Sequence, residues 1–280
     1  MPTAGSCNLS VSARDAGSGG FISIPGGAFT PDPSSQVSYA GLTPPFDIRG
    51  LTYDHVNGKW LPVPRQWVMP DYTRYAYPAQ DGSIHVVDLY TGADTSVPDS
   101  KALLGYLLAV EPDGIYGAPA PLDLVRVGWQ GGTTVIEQGD YWNTFVVGEG
   151  VAYGSKDSGT VHDIDRIDVR TGSVQPWFRS ISENLRVVGT DDHGNPLIVA
   201  SDSRGGSLWL VTAPSTSDEP SGQPLGRFLQ DPGTVTVVQG QGGFWIESTT
   251  AGLFHNDFAV ANSSFGFVNS FTGFIAGPCV

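Results

Sequence analysis

The densest group of candidate metal ligands in this chain lies between His162 and Asp168. If the segment forms a strand, its side chains alternate, so Asp163 and Asp165 point to one face while His162 and Asp168 point to the other. No spacing of Cys, His or carboxylates here or elsewhere in the chain matches a dedicated metal site. We therefore expect no metal and no cofactor, and we expect this segment to be an exposed acidic strand. Its counter-charges would be Arg166 and Arg170.

Acid–base catalysis would need side chains brought together from distant parts of the chain. The sequence contains no Gly-x-Ser-x-Gly nucleophile elbow. Paired carboxylates could form a glycosidase-type site. Candidates spread over several predicted blades are Glu111, Glu137, Glu149, Glu183 and Glu247. Because nothing in their local sequence marks one as the acid, we assign no catalytic residue. The sequence does not decide whether the chain is an enzyme, and it favours a protein that is not one.

A set of aromatic residues falls near predicted strand ends or loops, where a flat ring can stack on a sugar or fill a peptide pocket. These candidate ligand-binding residues are Trp67, Tyr72, Tyr141, Trp142 and Trp177. The alternative is that the same rings pack between adjacent sheets, as large aromatic side chains commonly do.

All of these residues must be positioned by a repeated unit of strands and turns. One copy runs from Tyr75 to Gly92 and another from Val151 to Gly172, and both end in Asp-x-x-Thr-Gly. An opening copy combines residues 21–24 with residues 51–58, and together with the other degenerate copies it places the central turns about 34 to 43 residues apart over the whole chain. This spacing is close to the roughly 40–45 residues of a four-stranded propeller blade. The pattern predicts an all-β protein, a β-propeller of about six four-stranded blades. A β-sandwich is the alternative fold, but it rarely keeps so regular a period.

The two cysteines of the chain, Cys7 and Cys279, lie at its opposite ends. Because a ring-shaped fold brings its termini together, we expect a disulfide between them and closure of the propeller by pairing of N- and C-terminal strands. In this closure residues 21–29 would pair with strands near 265–275. Two unpaired thiols remain an alternative, as does a lipid anchor at Cys7, since Gly5-Ser6-Cys7 resembles the end of a lipobox.

The chain reads as one domain over residues 1–280. Within it we expect a flexible N-terminal segment over residues 1–19, which is rich in Gly and Ser, and a mobile loop over residues 213–223, which is rich in Ser, Thr, Pro and acidic residues. The N-terminal segment has no basic or apolar region of the kind a signal peptide needs, so it is not a signal peptide as it stands.

Charge and hydropathy exclude several classes of partner. The formal net charge is −14, and charged residues make up 15% of the chain. Nucleic-acid binding normally needs clustered Lys and Arg, and docking on an anionic membrane needs a basic surface, so we expect neither partner. No run of about 18 apolar residues occurs, which predicts that the chain has no transmembrane segment.

The segment Trp60–Tyr77 resembles a motif of uncharacterised exported or lipoprotein-like bacterial β-propeller proteins with TolB/WD40-like repeats. In those proteins a Pro-Asp-Gly-Thr turn precedes a strand, whereas this chain has Pro70-Asp71-Tyr72-Thr73. The opening Gly19–Phe29 and the closing Ala276–Cys279 also look like the two ends of that group. The resemblance implies the propeller fold and an extracellular or cell-surface location, and it implies no activity.

The leading hypothesis for the function is a non-catalytic binding or scaffold module that recognises a protein, peptide or glycan. A second hypothesis is a polysaccharide-acting hydrolase or lyase with carboxylates in the axial funnel. A third is a structural surface subunit that self-associates. Convergent carboxylates near the axis would favour the enzyme, an exposed aromatic strip would favour binding, and a large apolar patch would favour assembly.

Overall fold

The computed structural model describes most of the chain in sixteen stretches. They are residues 7–13, 18–24, 26–37, 50–103, 107–119, 124–139, 141–148, 150–158, 161–181, 183–215, 222–230, 232–240, 243–248, 252–257, 264–268 and 273–280. Within these stretches the chain forms strands, numbered β1 to β25 in chain order, and three short 3₁₀ turns at Pro33–Ser35, Arg65–Trp67 and Ser100–Leu103.

Five of the described sheets have four strands each, and we number them blades 1 to 5. Blade 1 contains β1 (Cys7–Ala13), β2 (Gly19–Ile24), β3 (Phe29–Asp32) and β25 (Gly273–Cys279). Blade 2 contains β9 (Leu107–Glu111), β10 (Gly114–Gly117), β11 (Leu124–Val127) and β12 (Thr133–Glu137). Blade 3 contains β13 (Tyr141–Gly148), β14 (Val151–Ser158), β15 (Val161–Asp168) and β16 (Val174–Ser180).

The remaining sheets complete the described strands. Blade 4 contains β17 (Asn184–Thr190), β18 (Pro196–Asp202), β19 (Gly205–Leu210) and β20 (Gln223–Phe228). Blade 5 contains β21 (Val235–Gly240), β22 (Gly243–Ser248), β23 (Gly252–Asp257) and β24 (Ser264–Val268). Between blades 1 and 2 lie a hairpin of β4 (Thr52–Asp54) and β5 (Lys59–Leu61) and a three-stranded sheet of β6 (Arg74–Pro78), β7 (Ile84–Asp88) and β8 (Asp94–Ser96).

The first strands of successive sheets contact one another in the order β9, β13, β17, β21 and β25. This arrangement places them innermost around a common axis, so the predicted all-β propeller is confirmed. The expected six four-stranded blades are wrong, because five of the described sheets have four strands. The sequence reading joined residues 21–24 and 51–58 into one opening unit, whereas the chain places them in blade 1 and in the separate hairpin.

Blade 1 closes the ring by combining the two ends of the chain. Strand β25 pairs with β1 in antiparallel register, with Val11 opposite Ile275. The predicted disulfide is present, joining Cys7 to Cys279 with their Cα atoms 5.6 Å apart. The sulfur of Cys7 is therefore committed to this bond and offers no thiol to a lipid.

The strand that meets the C-terminus differs from the one expected. Residues 21–24 belong to β2, which pairs with β1 and β3. Strand β1 lies between β2 and β25. The partner of β25 is β1, whose residues 7–13 fall in the segment expected to be flexible. The apolar alternation of Leu9 and Val11, both fully buried, is the signal for a strand in this Ser-rich stretch.

The repeated Asp-x-x-Thr-Gly sequence builds the turn between the last two strands of a unit. The carboxylate of Asp88 accepts a hydrogen bond of 2.8 Å from the backbone N–H of Thr91, and that of Asp168 accepts one of 2.9 Å from Thr171. The glycine that follows each threonine has φ near +70°, a region that most L-residues avoid.

Packing between blades explains why the strands lack a polar face. In β18, Leu197 and Val199 pack with blade 5, while Ile198 and Ala200 pack with blade 3. All four are buried, and each large side chain contributes about 1.5–3 kcal/mol through burial.

No helix among the described residues is long and apolar enough to cross a membrane. In the expected mobile loop, residues 216–221 lie outside the described residues.

Candidate functional site

The sequence-predicted aromatic residues lie in different parts of the fold. Trp67 is buried, and its indole N–H donates a 3.0 Å hydrogen bond to the carbonyl of Leu107 in blade 2. Trp177 in β16 donates from its indole N–H to the carbonyl of Val211 at 3.3 Å. Trp142 lies in β13, and its side chain is outside the described residues.

Tyr72 occupies the turn where the resembling proteins have glycine. Its φ is +55°, so a tyrosine here carries the strain that a left-handed conformation imposes on a non-glycine residue. The buried ring is held edge-on against His55, with centroids 5.0 Å apart, and the guanidinium of Arg65 lies 4.5 Å from its centroid. These contacts, together with burial of the ring, offset the backbone strain.

Tyr141 belongs to a transverse row of polar residues across blade 3. Cross-strand pairing places Tyr141 opposite Lys156, Lys156 opposite Asp163, and Asp163 opposite Arg179. Because directly paired residues point to the same face, the row spans all four strands. The guanidinium of Arg179 donates from Nε to Oδ1 of Asp163 at 2.7 Å.

Asp165 is the buried centre of this cluster and is fully enclosed, at 0% exposure. Its Oδ2 atom accepts hydrogen bonds from the hydroxyl of Tyr141, at 3.0 Å, and from the ammonium of Lys156. Its Oδ1 atom has no hydrogen-bond partner among the described residues. The expectation of an exposed acidic strand is wrong for Asp163 and Asp165, because both are buried.

The counter-charges of Asp163 and Asp165 differ from those expected. Lys156 and Arg179 pair with the two buried aspartates. Arg166 instead lies 5.6 Å from the ring centroid of Trp177. The local sequence gave no sign of these pairs, because their partners are 9 and 16 residues apart and meet only when the strands pair in register.

The electrostatics of the blade 3 cluster disfavour free acid–base chemistry at Tyr141. Burial raises the pKa of Tyr141 well above its usual range, and the neighbouring negative charge of Asp165 adds to this rise. The hydroxyl therefore stays protonated at neutral pH and acts as a hydrogen-bond donor. Burial also raises the pKa of Glu137, and the charge of Asp165 contributes in the same direction.

No group of three or more His, Cys, Asp or Glu side chains among the described residues could hold a metal ion.

A second array of chemistry-bearing residues lies on one face of the three-stranded sheet. Tyr77 lies opposite His85, Tyr75 opposite Val87, and Val87 opposite Asp94. We call the set Tyr75, Tyr77, His85 and Asp94 the aromatic strip. Its ring centroids are 6.3 Å apart between the two tyrosines and 5.5 Å apart between Tyr77 and His85.

Asp94 ties the aromatic strip together. Its Oδ2 atom accepts a 2.6 Å hydrogen bond from the hydroxyl of Tyr77, and its Oδ1 atom lies 2.9 Å from Nδ1 of His85. Burial raises the pKa of both tyrosines, and Asp94 raises them further.

Exposure increases across the strip from Tyr77, which belongs to the core, to Asp94. Tyr77 is buried, Tyr75 and His85 are half-buried, and Asp94 is exposed. Tyr75, Tyr77 and His85 all fall within the repeat unit Tyr75–Gly92, and the sequence did not predict them as a site. Their alternate spacing in two consecutive strands is the signal that could have identified a shared face.

Solved β-propeller structures are similar to this chain. Virginiamycin B lyase from Staphylococcus aureus matches with 10% identity and a TM-score of 0.52, over 95% of this chain and 86% of that one. The structure titled YCF48 bound to D1 peptide matches with 12% identity and a TM-score of 0.50, over 97% of this chain and 86% of that one. At these identities the similarity establishes the fold alone.

Other matched proteins are longer than this chain. The chain spans 66% of TolB from Acinetobacter baumannii and 36% of the extracellular domain of a hybrid two-component system from B. thetaiotaomicron, with a TM-score of 0.46 and 13% identity in both cases. No protein-family model and no curated protein matches the chain.

Proposed function

We propose that this chain is a non-catalytic binding module that acts outside the cytoplasm and recognises a protein or peptide ligand. The observation that carries the proposal is the aromatic strip, where two tyrosine rings and an imidazole share one face with an exposed carboxylate. A ring face beside a carboxylate suits a basic side chain, because the cation interacts with both.

The charge of the whole chain supports a basic ligand. At a net charge of −14, the surface attracts cations over several ångströms and raises the rate of encounter with a basic partner. Glycans compete as ligands because sugar rings also stack on tyrosine. We favour the peptide over a glycan. Both oxygens of Asp94 are already in hydrogen bonds, so they are less available to sugar hydroxyls, whereas the negative charge of Asp94 still attracts a cation.

Two further observations agree with this proposal. A propeller of similar fold, YCF48, has been solved with a bound peptide. The disulfide between Cys7 and Cys279 is typical of proteins that work in oxidising compartments outside the cytoplasm.

Selection of a random peptide library on the immobilised protein tests the proposal. Enriched peptides should contain Lys or Arg, and they should bind the Tyr75→Ala variant at least tenfold more weakly than the wild type. Tyr90→Ala is the matched control, since Tyr90 is 69% exposed in a turn outside the strip. Equal binding to wild type and Tyr75→Ala would remove the strip from consideration, and enrichment of neutral glycans alone on an array would replace the peptide.

A second candidate function is a hydrolase or lyase, and Glu137 favours it. A carboxyl whose pKa is raised by burial and by a neighbouring aspartate has the character of a general acid. Because Asp165 is enclosed, it would position Lys156 and Tyr141 and would not contact substrate. Release of reducing ends or unsaturated products from a polysaccharide panel, lost in Glu137→Gln, would establish this activity.

A further inference from the structure

The outer strand of blade 2, β12, has a free edge at residues 133–135, which are exposed. Within the part of the chain that the structure describes, β12 pairs with β11 and with no second strand. Its sequence Thr-Thr-Val-Ile has four β-branched residues in a row, which favours extended structure. The side chain of Val135 is among the most exposed apolar groups, at 49%.

The backbone of this edge points outward at two residues. The carbonyl of Val127 faces β10, since it lies 2.3 Å from a Cβ built on Gly114. Val127 and its partner Thr133 therefore form a non-hydrogen-bonded pair, and hydrogen-bonded pairs alternate along an antiparallel ladder. It follows that Thr133 and Val135 direct their N–H and C=O groups away from β11, toward a further strand.

Three other outer strands carry a proline, which removes one N–H from the strand edge. Pro31 lies in β3, Pro176 in β16 and Pro224 in β20. Proline lacks an N–H and commonly protects exposed sheet edges. Strand β12 has no proline and no lysine, so its edge lacks both of these protections.

The chain itself shows that a blade edge can accept an added segment. The N–H of Ser215, in the loop that follows β19, donates a 2.8 Å hydrogen bond to the carbonyl of Trp177 in β16. Ser215 also forms a parallel bridge with Phe178. Blade 3 is thus extended at one point by a segment of blade 4, through a backbone carbonyl of its outer strand.

Acidic residues lie at both ends of the open edge. The carboxylate of Asp99 accepts a 2.9 Å hydrogen bond from the N–H of Gly132, and Glu137 ends the strand. We propose that the edge of β12 is a second binding surface, which takes an extended peptide with basic flanking residues by strand addition. Backbone hydrogen bonds to Thr133 and Val135 would supply the affinity, and the two carboxylates would select the flanks. A second copy of this chain is a poorer occupant, because two molecules of charge −14 repel each other.

Fluorescence anisotropy tests this surface with a labelled heptapeptide of alternating Thr and Val that has Lys at both ends. Wild-type protein should bind it, and Val135→Pro should weaken binding at least tenfold by removing one outward N–H. Val174→Pro is the matched control, because Val174 is an exposed residue at the start of β16, which already contains Pro176. Thr134→Lys provides a second variant, in which an added positive charge repels the basic peptide.

Loss of binding in Val135→Pro and Thr134→Lys, with binding retained in Val174→Pro and in the strip variant Tyr75→Ala, would support the edge site. Unchanged binding in both β12 variants would overturn it, as would failure of the wild type to bind. A wild-type dimer in sedimentation that Val135→Pro dissociates would also overturn it, in favour of edge-to-edge pairing between copies. Because Tyr75 is on another sheet, a negative result at the β12 edge would not contradict peptide binding by the aromatic strip.

Discussion

The hydroxyl of Tyr141 donates a 3.0 Å hydrogen bond to the enclosed carboxylate of Asp165. Tyr141 begins the inner strand of blade 3, while Asp165 lies two strands farther out in β15, so this bond and the ion pair with Lys156 fasten the blade across its width. A buried carboxylate is stable only while such partners hold it.

Replacing Lys156 by Ala should therefore destabilise the fold. We expect a loss of about 2 kcal/mol, less than the roughly 3–5 kcal/mol for breaking a fully buried pair, because the Lys156 side chain is 34% exposed. Arg204→Ala is the control, since it removes an exposed ion pair with Asp202 and should leave urea denaturation unchanged. Equal midpoints for both variants would contradict the role given to Lys156.

High pH should unfold the protein through its buried tyrosines. Burial raises the pKa of Tyr77, Tyr116 and Tyr141 in the folded protein, whereas unfolded tyrosine ionises near pH 10. The folded state then holds protons that the unfolded state has lost, so the free energy of unfolding falls as the pH rises above about 10. Below that pH the stabilisation is complete.

Tyrosinate absorbance measured together with circular dichroism checks this expectation. The two signals should change together for the buried tyrosines, and Tyr141→Phe should make the dependence of stability on pH shallower. Full ionisation of all ten tyrosines near pH 10, with the β-sheet signal unchanged, would show that they are not protected.

Reduction of the disulfide should lower the melting temperature without changing the fold. The bond between Cys7 and Cys279 closes a loop with a sequence separation of 272 residues, for which the chain-entropy model gives up to about 5 kcal/mol. The pairing of β1 with β25 remains after reduction, so circular dichroism at room temperature should not change. A double variant with Ser at both positions should melt like the reduced protein and ignore reductant; a reductant effect in that variant would place the sensitivity elsewhere.

At position 72 we expect the glycine variant to be more stable than the alanine variant. Both Tyr72→Gly and Tyr72→Ala lose the ring that packs against His55 and Arg65. Alanine also keeps the cost of the left-handed backbone, about 1–2 kcal/mol, which glycine avoids. We expect Tyr72→Gly to be the more stable of the two by about 1 kcal/mol in chemical denaturation, and the reverse order would show that the turn adopts another conformation.

The sequence predicted those features of the fold that depend on local repeats. The Asp-x-x-Thr-Gly turns at Gly92 and Gly172 revealed the blade period, and Cys7 and Cys279 revealed the closure. The number of four-stranded blades was not predictable, because the opening unit was read as one repeat although its strands at residues 21–24 and 51–58 belong to different sheets. A turn signal marks where a hairpin lies and not which sheet it joins.

The candidate sites were less predictable than the fold. The sequence predicted that Asp163 and Asp165 share one face of a strand. It did not predict their burial, which depends on ion pairs with Lys156 and Arg179 on neighbouring strands. Likewise, Asp94 joins Tyr77 and His85 only after three strands pair in register. Such contacts follow from long-range pairing, which local sequence does not specify.

A double-mutant cycle measured by calorimetry tests whether the aromatic strip binds a basic side chain of a peptide. The four combinations are wild type or Asp94→Asn with a selected peptide or the same peptide carrying Lys→Ala. Because Asn keeps an acceptor for the Tyr77 hydroxyl, the variant removes charge with little change in shape. Each single change should weaken binding about threefold to tenfold, and the double change should cost little more than either one alone. Effects that simply multiply would show that Asp94 does not face the peptide cation and would contradict the proposed site.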